Sequence, residues 1–330
     1  MTKKILLTGG TGFLGSYILA ALVQRGYTVY ALRRGSTSPH WIDAALLGKV
    51  QWISGDVLDI VGLEEAMEDM DAVIHAAAMV SFNASERIEL YQVNVEGTAN
   101  VVNACLEKKV KRLVHVSSVA ALGRKVGGGL VDEKAKWEEN PLQTHYARSK
   151  YKAELHVWRG HCEGLDTVIL NPSTILGFGD WTKSSCAIFK QMHDGFKWYT
   201  PGLNGFVDVQ DVALATILLL EEGKNGERYV VNGDTWPFQQ LQEQIAKGFN
   251  RPAPRLKANA FILGLAWRVE AIRSIITGKK PLLTKESARV ALSKTAFDNR
   301  KLLAAFPTFQ YTSLTKTIEQ ACVRYRQHYT

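Results

Sequence analysis

Six apolar runs of strand length recur through the first 175 residues: KILLTG, TVYALRR, VQWISGD, AVIHAAA, RLVHVSS and DTVILNP. Between most of them lie stretches with helical spacing of apolar residues, such as LGSYILAALVQRG and NVEGTANVVNACLEKK. Strand and helix in alternation imply right-handed crossovers, which place the strands in one parallel sheet with helices on both faces. The pattern therefore predicts an α/β, doubly wound architecture. After Pro172 the rhythm changes. GFVDVQDVALATILLLEEG reads as a short strand leading into a helix with Asp211 at its N-cap, GERYVVNG as another strand, and 238–249, 258–277, 284–293 and 313–328 as helices. The expected division is a sheet domain over 1–175, with 206–232 returning to it, and a smaller, mainly helical lobe from 176–205 and 233–330. Ligands in such folds bind at the carboxyl ends of the strands, so the crevice is expected between the lobes.

At 330 residues, 46% hydrophobic and 22% charged, the chain has the composition of a globular protein. No window approaches the roughly 20 apolar residues that span a bilayer, and MTKKILLTGG lacks the apolar core of a signal peptide. Cys105, Cys162, Cys186 and Cys322 show no paired spacing, which fits reduced thiols in a cytoplasmic protein. His156 and His161 have no carboxylate or cysteine to complete a metal-ligand pattern, so no metal is expected. Charge is uneven: 19 basic against 20 acidic residues over 1–180, but 21 against 12 over 181–330. A basic second half could attract an anionic substrate or membrane surface, or simply be solvated. It carries no zinc-finger spacing or RNP-like strand, so nucleic acid is not expected as a partner.

LLTGGTGFLGSYI, residues 6–18, follows a strand and opens a helix. Glycines at 10, 12 and 15, or at 9, 12 and 15, fit the dinucleotide fingerprint, in which they permit a tight turn and let backbone amides approach a pyrophosphate at a helix N-terminus. At the end of the second strand, NAD enzymes carry an acid for the adenosine ribose, whereas an arginine accommodates a 2′-phosphate. Here Arg33 and Arg34 stand at that point. A carboxylate would repel the phosphate and two guanidiniums can bind it, so NADPH is favoured over NADH.

HYARSKYKAE places Tyr146 and Lys150 on one helix face, and RLVHVSSVAALG ends a strand in two serines. Carbonyl reduction needs a proton donor for the developing alkoxide. A tyrosine that also serves as base in reverse needs its pKa lowered by two to three units, or roughly 3–4 kcal/mol. An ammonium about 4 Å away, at an effective dielectric near 20, supplies about 4 kcal/mol. Lys150 is therefore expected to tune Tyr146, with a serine hydroxyl holding the substrate oxygen.

In this order TGGTGFLG, GDV, HAAA, VNVEGT, VSSVAALG, YARSK, NPSTILGFGD and FVDVQDVA resemble the extended short-chain dehydrogenase/reductase superfamily over essentially the whole chain. The resemblance implies a Rossmann-type sheet and a catalytic set of Ser118, Tyr146 and Lys150, the lysine also holding the nicotinamide ribose. It implies cofactor contacts at Gly9, Thr11, Gly12, Phe13, Leu14 and Gly15. Further contacts fall on Asp56 and Val57 on the adenine side, Ala76, Ala77 and Ala78 along the cofactor, Val116, and Pro172, Ser173 and Ile175 beside the carboxamide. Asn94 matches a family asparagine read here as structural. GYTVYALRRGS and HAAAMVSF are similar to dihydroflavonol reductases, and the C-terminal part to bacterial dihydroflavonol-reductase-like and steroid-dehydrogenase-like members. Sugar epimerases usually carry an acid where Arg33 stands.

Met79, Ser81, Phe82, Leu176, Phe178 and Tyr199 are the candidate substrate contacts, and their character suggests a bulky, largely apolar ketone or aldehyde. Two rivals remain at this stage: a nucleotide-sugar epimerase or dehydratase with tightly held NAD(P), and a non-catalytic NADP-sensing protein. The helices around 94–109 and 144–160 could pair with a second copy, as in the family's dimers. AFILGLAWRVEAIRSIITGKK is read as a helix packed in the C-terminal lobe, with a membrane-surface helix or a pocket cover as the alternatives.

Overall fold

Residues Ile5 and Leu7 are fully buried on one side of the first strand and Leu6 on the other, because successive side chains of a strand point to opposite faces. A run apolar at every position therefore needs cover on both sides. The computed structural model, which describes residues 2–124, 128–278 and 280–329, supplies it. Seven parallel strands form the sheet: β1 (Lys4–Thr8), β2 (Thr28–Arg33), β3 (Gln51–Ser54), β4 (Ala72–His75), β5 (Arg112–Val116), β6 (Thr167–Pro172) and β7 (Glu227–Val231), in the order β3-β2-β1-β4-β5-β6-β7. The fold is Rossmann-like, with the chain reversing direction between β1 and β4.

Helices α1 (Phe13–Gln24) and α4 (Val209–Glu222) cover one face. Their Ile18, Leu22, Val212 and Leu219 pack on Ile5, Ile74 and Val168. Helices α2 (Gly97–Glu107) and α3 (His145–Cys162) cover the other, with Val101 and Val157 against Leu6, Val73 and Ile169. A second sheet of Thr174–Leu176, Leu203–Asp208 and Asp234–Pro237 begins the smaller lobe. Helices α5 (Phe238–Gly248) and α8 (Leu314–Tyr329) enclose its core around Phe189, Phe206, Ile245 and Tyr325. The remaining long helices are α6 (Ala260–Thr277) and α7 (Lys285–Leu292).

Two expectations are corrected. The N-cap of α4 is Asp208, whose carboxylate accepts from Gln210 N at 2.6 Å. Asp211 lies inside the first turn and instead accepts from Thr312 N and Oγ1 at 2.7 and 2.9 Å. Burial pushes its carboxyl up to about 6. A cap needs extended backbone just before the helix, and only Asp208 has it (φ −68°, ψ 140°).

Helix α6 forms where its spacing predicts, capped by Asn259, which accepts from Ile262 N at 3.0 Å. It packs on α7 through one face only, with Leu263 buried and Ile262 and Trp267 half-buried beside it. Leu263 is its one buried side chain among the described residues, while Phe261, Leu265, Val269, Ile272 and Ile276 face outward. The reason is length. Its neighbour α7 has 8 residues, about 12 Å of helix, against about 27 Å for the 18 residues of α6.

Candidate active site

The glycine loop is closed to side chains and open to an anion. Gly9 has φ +77°, and a Cβ there would lie 2.6 Å from Ala77 N. A Cβ on Gly15 would lie 2.1 Å from Gly9 O. Gly12 N donates to Gly9 O at 3.0 Å, and Gly12 caps α1 without any side-chain acceptor. The first amides of α1, at Phe13, Leu14 and Gly15, thus have no competing side-chain cap, and the helix dipole favours negative charge there. Thr11 is half-buried beside them. This cradle fits a dinucleotide pyrophosphate.

At the end of β2 the Arg33 guanidinium stacks over Trp52 at 5.0 Å, and Arg34 lies 3.7 Å from Asp56 with 71% of its side chain exposed. Val57 is buried against Gly97. Ala76 and Ala77 are half-buried and Ala78 is exposed along the turn after β4. On the far side, Pro172 ends β6, Ile175 is half-buried, and the buried Ser173 Oγ has no hydrogen-bond partner. That orphaned hydroxyl suits a polar ligand group.

Period-two alternation separates the two serines. Ser117 points down and donates to Glu154 Oε1 at 2.6 Å. Ser118 points to the cleft, caps a short 3-10 turn by accepting from Ala120 N, and its hydroxyl lies beside the Tyr146 phenol, where it favours the ionised form. Thr144 starts α3 by accepting from Ala147 N at 3.0 Å, which fixes Tyr146 in the first turn. Burial raises the phenol pKa, opposed by the Ser118 hydrogen bond and the Arg124 charge. The Phe82 ring meets Tyr146 edge-on at 6.1 Å.

The Lys150 ammonium is engaged at the strand. Its Nζ donates to Val116 O at 2.9 Å. Burial pushes its pKa down to about 8, against the opposing pull of Glu154. The shared helix face brings the two Cβ atoms together, but the ammonium reaches back to the strand. The cation whose charge reaches the phenol is Arg124, which sequence reasoning missed. Arg124 follows Gly123 (φ +78°), its carbonyl accepts from Asn140 Nδ2 at 2.9 Å, and its Nε is buried with no partner. No motif marks it, because a positive-φ turn aims it.

Beneath the site Glu154, 1% exposed, accepts from Ser117, Asn171 Nδ2 at 2.6 Å and Arg228 Nη1 at 3.1 Å. Asn94 links the Met79 backbone to α3: its Oδ1 accepts from Met79 N at 2.7 Å and its Nδ2 donates to Met79 O and to Ser149 Oγ, both at 2.9 Å. His75 sits between Thr8 and Thr98 hydroxyls, and burial pushes it down to about 3, so it is neutral.

The six substrate candidates divide. Met79 and Phe82 border the cleft, and Ser81 donates to Glu86 at 2.5 Å. Leu176 and Phe178 are instead core residues of the smaller lobe; Phe178 packs on Tyr325 at 4.9 Å and beneath Arg324. The short strand Thr174–Leu176 joins the second sheet and leads them into that core. Tyr199 lies on a two-residue strand paired with Leu256–Lys257, and the ring contacts of Tyr146 do not include it.

A half-buried phenol and hydroxyl, with an anion cradle at the carboxyl ends of the same parallel sheet, can bind a dinucleotide and donate a proton beside it. The NAD dependent epimerase/dehydratase family matches residues 5–232. The chain is 31% identical over 310 residues to a Synechocystis sp. protein named as a candidate dihydroflavonol 4-reductase, covering 91% of this chain and 88% of that one. It is 32% identical over 255 residues to sterol demethylase protein B of Methylococcus capsulatus, covering 76% of each. The crystal structure of gox2253 superposes with a TM-score of 0.83 at 27% identity over 99% of both chains. This chain belongs to the NAD-dependent epimerase/dehydratase family of the extended short-chain dehydrogenase/reductase superfamily and is an NAD(P)-dependent oxidoreductase.

Proposed function

We propose that this enzyme is an NADPH-dependent reductase of a ketone or aldehyde on a bulky, largely apolar small molecule, dihydroflavonol-reductase-like in chemistry. The observation that carries the reading is the half-buried Tyr146 phenol, beside the Ser118 hydroxyl and walled by Phe82. The α1 amides and Thr11 would hold the pyrophosphate, Arg33 and Arg34 the 2′-phosphate, and Asp56 and Val57 the adenine side. Ala76, Ala77, Ala78 and Val116 would line the cofactor, Lys150 would hold the nicotinamide ribose, and Pro172, Ser173 and Ile175 the carboxamide. The bound cofactor supplies the hydride. Ser118 positions the carbonyl oxygen and Tyr146 gives that oxygen its proton. The Arg124 charge steadies the phenolate left behind until it recovers a proton from solvent. Phe82 and Met79 keep the reacting face apolar, which excludes water.

A panel of ketones, aldehydes and nucleotide sugars, read by NADPH absorbance, tests this. Stoichiometric NADPH loss on apolar carbonyls is the expected result; conversion of a nucleotide sugar without net NADPH loss would replace it with the epimerase reading. Replacing Arg33 and Arg34 together with alanine should raise the KM for NADPH about 10–100-fold, the loss of charge-assisted hydrogen bonds. KM for NADH should change little, and equal effects on both would overturn the NADPH assignment.

The Arg124 charge favours the ionised phenol. Removing it raises the phenol pKa, so in Arg124→Ala the limb set by this group moves to higher pH: the acid limb of alcohol oxidation and the alkaline limb of carbonyl reduction. Oxidation at neutral pH should slow. Arg124→Lys should largely restore the profile. Full pH profiles of the three proteins check this, and superimposable curves would remove Arg124 from the site.

A further inference from the structure

Helix α6 carries an apolar stripe that nothing among the described residues covers. Phe261, Leu265, Val269, Ile272 and Ile276 follow the three- and four-residue spacing of one helix face. Phe261 is 81% and Ile276 78% exposed, and Ile275 and Leu282, at the end of the helix and just past it, are 84% and 86% exposed. Contiguous apolar surface of this kind marks an interaction site. The surrounding charge says of what kind. Residues 251–289 hold nine lysines and arginines but two acids, Glu270 and Glu286. Both acids are engaged: Glu270 with Arg273 at 2.7 Å, and Glu286 with the His145 N–H at 3.1 Å. Counting also Glu86, which pairs with Lys280, the segment around the stripe keeps a net excess of six positive charges. Arg268, exposed beside Val269, puts one of these charges at the edge of the stripe, while Trp267 turns back against α7. No helix among the described residues is long and apolar enough to cross a membrane, so α6 would lie on a bilayer rather than through it.

The same unit is tied to the cleft at two points. Lys280 pairs with Glu86, which accepts the Ser81 hydroxyl, and Phe82 beyond it meets the Tyr146 ring. Glu286 holds the backbone of His145, next to Tyr146.

We propose that α6 and the basic segment around it dock on an anionic lipid surface, so that the cleft takes its carbonyl substrate from that surface. The second half of this statement rests on the reductase reading; the first does not. Basic side chains near an anionic leaflet add several-fold to affinity each, and the attraction is screened by salt.

Flotation of the full chain with two kinds of vesicle tests the docking: phosphatidylcholine alone, and phosphatidylcholine mixed with phosphatidylglycerol. Binding at least tenfold tighter to the anionic vesicles, reversed by high salt, is expected. The double variant Ile272→Ser, Ile276→Ser changes only exposed positions. It should lose vesicle binding while reducing a water-soluble aldehyde at the wild-type rate, and lose activity on a ketone dissolved in the anionic vesicles. Failure of the wild type to float with either vesicle would overturn the proposal, as would equal flotation of the variant. So would a dimer, seen by sedimentation velocity, that the variant breaks and anionic vesicles do not, for then a second copy covers the face. If the wild type floats but reduces no carbonyl compound, the docking stands and the reductase reading falls.

Discussion

Replacing Tyr146 by phenylalanine is expected to lower kcat/KM for carbonyl reduction by about 10²–10⁴-fold, the usual contribution of a positioned general acid. The change removes one oxygen from a residue held at the start of α3 by the Thr144 cap, so the fold survives. The lost contact with Ser118 costs about 0.5–1.5 kcal/mol of stability at most. Initial rates with a reducible ketone, alongside thermal melts, check both halves. Ser118→Ala should fall less, because it removes a positioning hydroxyl and leaves the proton donor. A phenylalanine variant with undiminished rates would dismiss the phenol from the chemistry.

Gly15→Ala should have the second large effect, on cofactor binding. Its Cβ would come 2.1 Å from Gly9 O, a backbone atom with no rotamer to yield. The helix must then move away from the loop, at about 1–3 kcal/mol as in other overpacked sites. Displaced amides no longer converge on the pyrophosphate, so the NADPH dissociation constant should rise at least about tenfold, an order of magnitude corresponding to about 1.4 kcal/mol. Gly26→Ala is the control. Gly26 has φ +81° but nothing within 4 Å of the added Cβ, so it should cost stability through backbone strain and leave NADPH binding alone. Fluorescence titration with NADPH, paired with thermal melts of both variants, distinguishes these outcomes. Unchanged binding in Gly15→Ala would mean that the amides of α1 are not the phosphate site.

The sheet was legible because its strands are buried on both faces: Ile5, Leu6 and Leu7 can be nothing else once helical stretches follow. Spacing likewise marked Tyr146 and Lys150, since one helical turn is a local property. What escaped depends on where distant parts meet. Arg124 is aimed by the positive φ of Gly123 and by Asn140 and Gln143 holding its backbone, none of which has a sequence signature. Leu176 and Phe178 follow a strand end just as pocket residues do; only the position of Tyr325 in α8 turns them into core. Asp208 and Asp211 are both good capping residues, and the backbone angle at the strand's end chose between them. For α6 the apolar residues were visible but their lack of cover was not, because that depends on the short reach of α7.

Glu154 has a consequence for how the chain can be divided. Its carboxylate lies under the cleft on α3, yet the guanidinium that meets it belongs to Arg228 on β7, and β7 is added to the sheet only after the chain has passed out through Thr174–Leu176 and Leu203–Asp208 and returned. A fragment ending at residue 175 would strand a buried negative charge without that guanidinium, a defect of about 3–5 kcal/mol, and would leave β6 an open edge. The nucleotide-holding part is thus no transplantable module: during synthesis its floor sets only once the last parallel strand has emerged.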